Sequence, residues 1–160
     1  MIPDTKSPYN DFAVWSGNPN NDVPAMIAEM DEILEIVDIT ATHYHVDPAH
    51  LHGFGFSDGG LFIAVTELEH STVFASATIV GYGWGSGYIV QPVRKIAMQF
   101  VIGSNDSFYG YAQDSHTFLS GQGHAGDMHV GSGLGHDFVG LMGQYPPSQL
   151  VGWMSANPLP

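Results

Sequence analysis

The sequence predicts a parallel, doubly wound α/β sheet of about four strands in a three-layer sandwich. Three observations carry that expectation. Strand-like and helix-like stretches alternate from Leu51 onward. Two of the strand-like stretches, Val73–Val80 and Ile96–Ile102, are almost continuously apolar, as in strands covered on both faces. The third is His50–Gly60, HLHGFGFSDGG, which reads as a short strand, a very tight turn at Ser57, and a helix.

The elements follow in order. Residues 1–20 are rich in Pro, Asn, Asp and Gly, which predicts an irregular segment with one short extended piece at Phe12–Trp15. Asn21 or Asp22 is the expected N-cap of a helix with Pro24 in its first turn. Met26, Ile27, Met30, Ile33, Leu34 and Val37 recur at helical spacing, so Val23–Ile39 is an amphipathic helix. Glu29, Asp31, Glu32 and Glu35 are expected on its solvated face.

Asp47-Pro48 is a turn signal before the strand Leu51–Phe56. The helix Gly59–His70 follows, with Leu61, Ile63, Ala64, Val65 and Leu68 as its buried surface. After the strand Val73–Val80 comes a glycine-rich loop, GYGWGSG. The strand Ile96–Ile102 leads into Gly103-Ser104-Asn105-Asp106, then a helix Tyr111–Leu119. A short last strand, Met128–Val130, runs into GSGLGH, and Asp137–Met142 and Pro147–Ser155 are closing helical segments.

Composition narrows the function classes. The 160 residues fit one domain, residues 1–160, large enough for a single core. Sixteen acidic residues face three basic ones, a formal net charge of −13. Such a surface repels nucleic acid and anionic lipid, so neither is an expected partner. No apolar run is long enough to span a bilayer. The first residues, MIPDTKSPYNDF, lack the basic and apolar regions of a signal peptide. No cysteine is present, which excludes disulfides, thiolate metal sites and cysteine nucleophiles. His43 and His45, or His50 and His52, alternate at strand spacing, but no further ligands complete a metal site.

Gly55, Ser57 and Gly59 fill the fixed positions of G-x-S-x-G, the nucleophile elbow. A Cβ at Gly55 or Gly59 is expected to strike the neighbouring strand or helix. A serine needs a base, and in this architecture the partners follow in the order Ser, acid, His. Asp106 and His136 stand in that order, each beyond the carboxyl end of an expected strand. Ser57 is then the nucleophile, His136 the base, and Asp106 the group that orients the imidazole. Asp114 and Asp127 are rivals for the acid, and His124 and His129 for the base. The Asp58 amide is the expected oxyanion donor, and Tyr82, Trp84 and Phe108 are candidate substrate-binding residues.

These motifs give the chain a resemblance to the α/β-hydrolase superfamily, in particular to the branch of polyhydroxybutyrate depolymerases and feruloyl esterases. The matching pieces are NNDVPAMIAEMDEIL, VDPAHLHGFGFSDGG, VFASATIVGY, FVIGSNDSFYGY, GLGHDF and LVGWMSANPLP. The resemblance implies hydrolysis of a small or polymeric carboxylic ester without a cofactor, and it implies relatives that are often secreted. It also implies an N-terminal half with more strands and a second oxyanion donor, which nothing before Trp15 resembles. The strand Leu51–Phe56 would then carry an open edge, where a second copy or a missing N-terminal half could pair.

Two other readings arise from the same residues. One is a catalytically weak or silent module that serves in binding or assembly. The other is a dinucleotide-binding domain, from Gly53-x-Gly55-x-x-x-Gly59 between strand and helix. The second requires a carboxylate at the end of the next strand, and Ile79-Val80-Gly81-Tyr82 supplies none.

Overall fold

The computed structural model describes residues 19–160. The expected extended piece at Phe12–Trp15 lies outside that range. The chain divides into two units, with the boundary between Asp47 and Pro48.

The first unit holds α1, Pro19–Ala41. It begins earlier than the Asn21 or Asp22 cap predicts, and Pro24 lies inside it rather than at its start. A proline beyond the first turn lacks the N–H that the helical ladder would use, so α1 gives up one bond there. Met26 and Met30 are buried, while Asp31, Glu32 and Glu35 lie on the more open side, Asp31, Glu32 and Glu35 being exposed. Glu29 is the exception: it is buried rather than solvated.

The second unit is built on one sheet. Its strands are β1 (His52–Phe56), β2 (Ser76–Val80), β3 (Ala97–Gly103) and β4 (Met128–Gly131). They run parallel in the order β1-β2-β3-β4, so β1 is an edge strand among the described residues. The helices are α2 (Asp58–Glu69), α3 (Tyr109–Gly121), α4 (Phe138–Gln144) and α5 (Pro147–Ser155). None of the described helices is long and apolar enough to cross a membrane.

Parallel register puts whole rows of side chains on one face. Gly55, Ile79 and Phe100 form one row. Above it a Cβ on Gly60 would stand 3.3 Å from Ile79, and Phe100 meets His116 of α3 edge-on at 6.2 Å. This face therefore carries α2 and α3. Phe56, Val80 and Val101 form the adjacent row on the opposite face. There Val80 and Val101 join Leu141 of α4 and Leu150 of α5 in a core that Phe56, Leu134, Met142 and Tyr145 border. Burial on both faces explains why β2 and β3 are buried along their whole length.

The start of β2 differs from expectation. The apolar run starting at Val73 is not all strand: the Val73 and Phe74 amides donate to the His70 carbonyl in a turn, and β2 starts at Ser76. The connection from β2 to β3 contains no helix. Gly81, Gly85 and Gly87 take positive φ in it, and a Cβ on Gly83 would run into the backbone of Ala112 in α3. The loop thus packs closely on α3, and the Trp84 and Gly85 amides donate to the Ser115 hydroxyl there.

Candidate active site

Ser57 sits at the carboxyl end of β1, with φ 56° and ψ −120°. It is the only non-glycine residue with positive φ among the described residues. Such a conformation costs about 1–3 kcal/mol and persists only where its surroundings impose it. The surroundings are visible. The Ser57 amide donates to the Val80 carbonyl (2.9 Å), and its carbonyl accepts from the Gly60 and Leu61 amides (2.8 and 3.1 Å). The chain is therefore tied to β2 and to the first turn of α2 across a single residue.

Gly55 makes the turn sterically feasible, because a Cβ there would run into the Gly59 carbonyl. Gly59 does not have the expected role. A Cβ on it would meet nothing within 4 Å. The close approach falls one residue later, at Gly60, where a Cβ would lie 3.0 Å from the Tyr82 stem. The motif spacing is satisfied, but the crowded glycines are Gly55 and Gly60.

Ser57 occupies the N-cap position of α2 without capping it. Its hydroxyl points instead to His136, with Oγ 2.9 Å from Nε2. On the far side of the ring, His136 Nδ1 is 2.8 Å from Asp106 Oδ2. The other Asp106 oxygen accepts the Phe108 amide at 2.9 Å. The Asp106 carboxyl is fully buried and the imidazole is about one-third exposed (36%). The three residues predicted from their order in the chain thus form one hydrogen-bonded row.

The loops that carry the acid and the histidine are laced together. The Asn105 amide donates to the Leu134 carbonyl (2.8 Å), and its side chain to the Gly133 carbonyl (3.1 Å). The Ser104 amide donates to the Gly131 carbonyl, and the Gly133 amide to the Ser104 hydroxyl (both 2.9 Å). Gly103 permits the crossing, since a Cβ there would run into the Leu134 and Gly135 carbonyls. Beyond His136, the Asp137 side chain caps α4 by accepting from Gly140.

Asp58 is the first residue of α2, ahead of the intrahelical ladder, where N–H groups have no helical partner. Its amide therefore stands in the position of an anion donor. The residue is half-buried. Burial raises its pKa above the ordinary carboxylate value, and His136 partly counteracts that shift. Burial also raises the Tyr82 hydroxyl, and the Asp58 charge adds to it.

Two rings lie near His136. Phe56 lies 4.8 Å from the imidazole, Phe138 lies 5.2 Å from Phe56, and Phe54 lies 6.3 Å from Phe138. Phe108 lies 6.0 Å from the imidazole and 5.1 Å from Tyr82. Of the three aromatic candidates, Tyr82 and Phe108 are brought to the site. Trp84 is not: it packs on Phe100 at 5.8 Å and donates its ring N–H to the Gly87 carbonyl. Phe56, with Phe138 and then Phe54 behind it, packs beside the imidazole, and the sequence alone singles out none of the three. The alternation of β1 and the two-residue step from His136 to Phe138 are the signals that point to them.

The rival acids and bases lie elsewhere. Asp114 is exposed on α3, and Asp127 precedes β4. His129 stacks on Tyr145 at 5.0 Å. His124 is buried between the Ile96 carbonyl (2.9 Å) and the Tyr88 hydroxyl (3.0 Å), and burial lowers its pKa. His52 bonds to Ser76 Oγ at 2.8 Å. Among the described residues no group of three or more His, Asp or Glu side chains could hold a metal ion.

No family model matches the sequence, and no curated protein is significantly similar to it. Solved structures do resemble it. A crystal structure of Arabidopsis thaliana SOBER1 superposes with a TM-score of 0.64 at 15% identity over 85% of this chain and 66% of that one. A thermostable esterase gives 0.66 at 16% identity, over 81% of this chain and 36% of that one. The fluorophosphonate-binding serine hydrolase F of Staphylococcus aureus gives 0.60 at 15% identity, over 79% and 63%. The chain thus spans about two thirds or less of the proteins it resembles. At these identities the likeness concerns the fold, and with the parallel sheet flanked on both faces it shows that the chain has an α/β-hydrolase fold with four strands.

Proposed function

We propose that the chain is a serine hydrolase that cleaves carboxylic esters through an acyl-enzyme. The observation that carries this reading is the row Ser57–His136–Asp106, 2.9 and 2.8 Å, on a strained turn. In the first half-reaction Ser57 Oγ bonds to the ester carbonyl carbon while His136 Nε2 takes its proton. The tetrahedral oxyanion is stabilised by the Asp58 amide. The carbon–oxygen bond to the alcohol then breaks, and His136 gives its proton to the departing oxygen. In the second half-reaction His136 takes a proton from water, whose oxygen bonds to the acyl carbon. The bond to Oγ breaks and the proton returns to Ser57. Asp106, held by the Phe108 amide, keeps Nδ1 protonated and Nε2 available. No cofactor enters this scheme.

The finer assignment is to polyhydroxyalkanoate, feruloyl or acetyl esters. The sequence pieces that resemble that branch and the apolar rings around His136 support it. Reaction of the folded chain with a fluorophosphonate tests the general reading. Labelling of the wild type that vanishes in Ser57→Ala supports it, and a folded but unlabelled wild type refutes it in favour of a silent binding module.

A further inference from the structure

A second pairing of hydroxyl and base lies far from Ser57. Tyr88, in the connection from β2 to β3, His124, just after α3, and Ile96, just before β3, meet at the amino end of the sheet. Ser57 lies past the carboxyl end of β1, and the strands are parallel, so the two groups stand at opposite ends. The direction of each hydrogen bond follows from the partners. A carbonyl oxygen only accepts, so His124 Nδ1, 2.9 Å from the Ile96 carbonyl, carries the ring hydrogen. Nε2 is then an acceptor, and the Tyr88 hydroxyl donates to it at 3.0 Å. The Lys95 ammonium has only hydrogens to give, and it donates to the Tyr88 oxygen at 2.7 Å.

A hydroxyl, a base within hydrogen-bond reach and a third group that orients the base are the marks of an activated nucleophile. Here the Ile96 carbonyl takes the place that Asp106 has beside His136. Burial lowers the pKa of His124, the bond to Ile96 opposes that shift, and the charges of Lys95 and Arg94 add to it. The imidazole is thus kept neutral, with its Nε2 lone pair ready for a proton. Negative charge that develops on the Tyr88 oxygen meets the Lys95 ammonium. Phe118 meets the Tyr88 ring edge-on at 5.0 Å, which holds the phenol against its base. His124 is only 5% exposed, but Tyr88 is half-buried and Lys95 is exposed, so the hydroxyl is approached from the Lys95 side. The chemistry at Ser57 uses none of these groups.

We propose that Tyr88 is a second nucleophile, a covalent-modification site for electrophiles that carry a leaving group on a sulfonyl or acyl centre. The Tyr88 oxygen bonds to the sulfur or carbonyl carbon while His124 Nε2 takes the phenolic proton. The leaving group departs with the electrons of its bond, and a stable aryl ester remains on the ring. The site is independent of the esterase reading of Ser57.

The test uses benzenesulfonyl fluoride on the Ser57→Ala variant, which removes the competing serine. The oxygen–sulfur bond forms, the sulfur–fluorine bond breaks, fluoride leaves, and mass spectrometry of peptides locates each adduct over time. Tyr44 and Tyr111, 72% and 56% exposed, are controls within the same molecule. Tyr88 is expected to react about 10²-fold faster than either, the lower end of what a positioned base contributes. A Tyr88 that reacts no faster than Tyr44 and Tyr111, or an adduct on Lys95 in its place, overturns the proposal. Lys95→Met is expected to slow Tyr88 about tenfold and to leave the controls unchanged. His124→Gln can hold the hydroxyl but cannot take its proton, so the excess rate should vanish in the folded variant, and an undiminished excess there refutes the base. If that variant does not fold, the comparison among tyrosines and the Lys95→Met result still decide.

Discussion

Glu67 in α2 offers the most quantitative test of how the elbow is supported. Its side chain is completely buried, and neither carboxyl oxygen has a side-chain hydrogen-bond partner among the described residues. It lies on Gly53 of β1, so closely that a Cβ on Gly53 would run into the carboxyl. Burial raises its pKa well above the ordinary 4.5, and the nearby Gly53 amide offsets only part of that. The folded chain therefore holds a proton that the unfolded chain has lost. The Glu67 contribution to stability is flat below the unfolded pKa, falls as pH rises between the two pKa values, and is flat again above the folded one. One proton gives a limiting slope of about 1.4 kcal/mol per pH unit. Glu67→Met removes the proton and the desolvated oxygens, and a buried unsatisfied polar group costs about 1–3 kcal/mol. Urea unfolding of both proteins from about pH 4.5 to about pH 9 measures the difference. The expected outcome is a variant that gains on the wild type as pH rises, in the window that begins near 4.5. Parallel pH dependences would refute the account of Glu67 as a neutral buried acid.

Three further outcomes are expected. Gly55→Ala should cost several kcal/mol or prevent folding, because its Cβ meets the Gly59 carbonyl, whereas Gly59→Ala should be neutral or stabilising by up to about 1 kcal/mol from helix propensity; thermal melts of the pair decide. Ser57→Gly should raise stability by about 1 kcal/mol while abolishing labelling, since glycine tolerates φ 56° that serine does not; an unchanged melting temperature would argue against strain at the turn. Asp106→Asn should lower turnover by about 10⁴-fold, as loss of the orienting acid does in serine proteases, with little change in fluorophosphonate-independent properties such as the far-ultraviolet spectrum.

The order of elements and the three members of the hydrogen-bonded row are legible in the sequence because each leaves a local mark. An apolar run, a glycine between strand and helix, and an aspartate or histidine just past a strand end can all be read singly. Features set by close approach are not legible. Gly59 belongs to the motif, yet the contact falls on Gly60, because only the path of Tyr82 across α2 decides which glycine is crowded. Trp84 stands in the right loop, but the ring turns onto Phe100 rather than toward Ser57. The start of β2 is hidden because Val73 and Phe74 are as apolar as the strand they precede. Glu67 escapes a reading of the sequence since a charged residue in a helix suggests water, and its burial depends on Gly53, more than a helix length away in sequence.

The lacing of the two loops beyond β3 and β4 gives the site an order of failure. Asp106 and His136 ride on segments joined by four hydrogen bonds and by the crossing at Gly103. Ser57 reaches that pair from the opposite edge of the sheet, through one hydrogen bond to Nε2 beside the packing of Phe56 on the imidazole. Partial unfolding, a crowding ligand or a distant substitution would part the hydroxyl from the imidazole before it parted the imidazole from its carboxylate. A disarmed form of this protein would then keep a well-ordered histidine–aspartate couple, with the serine alone astray.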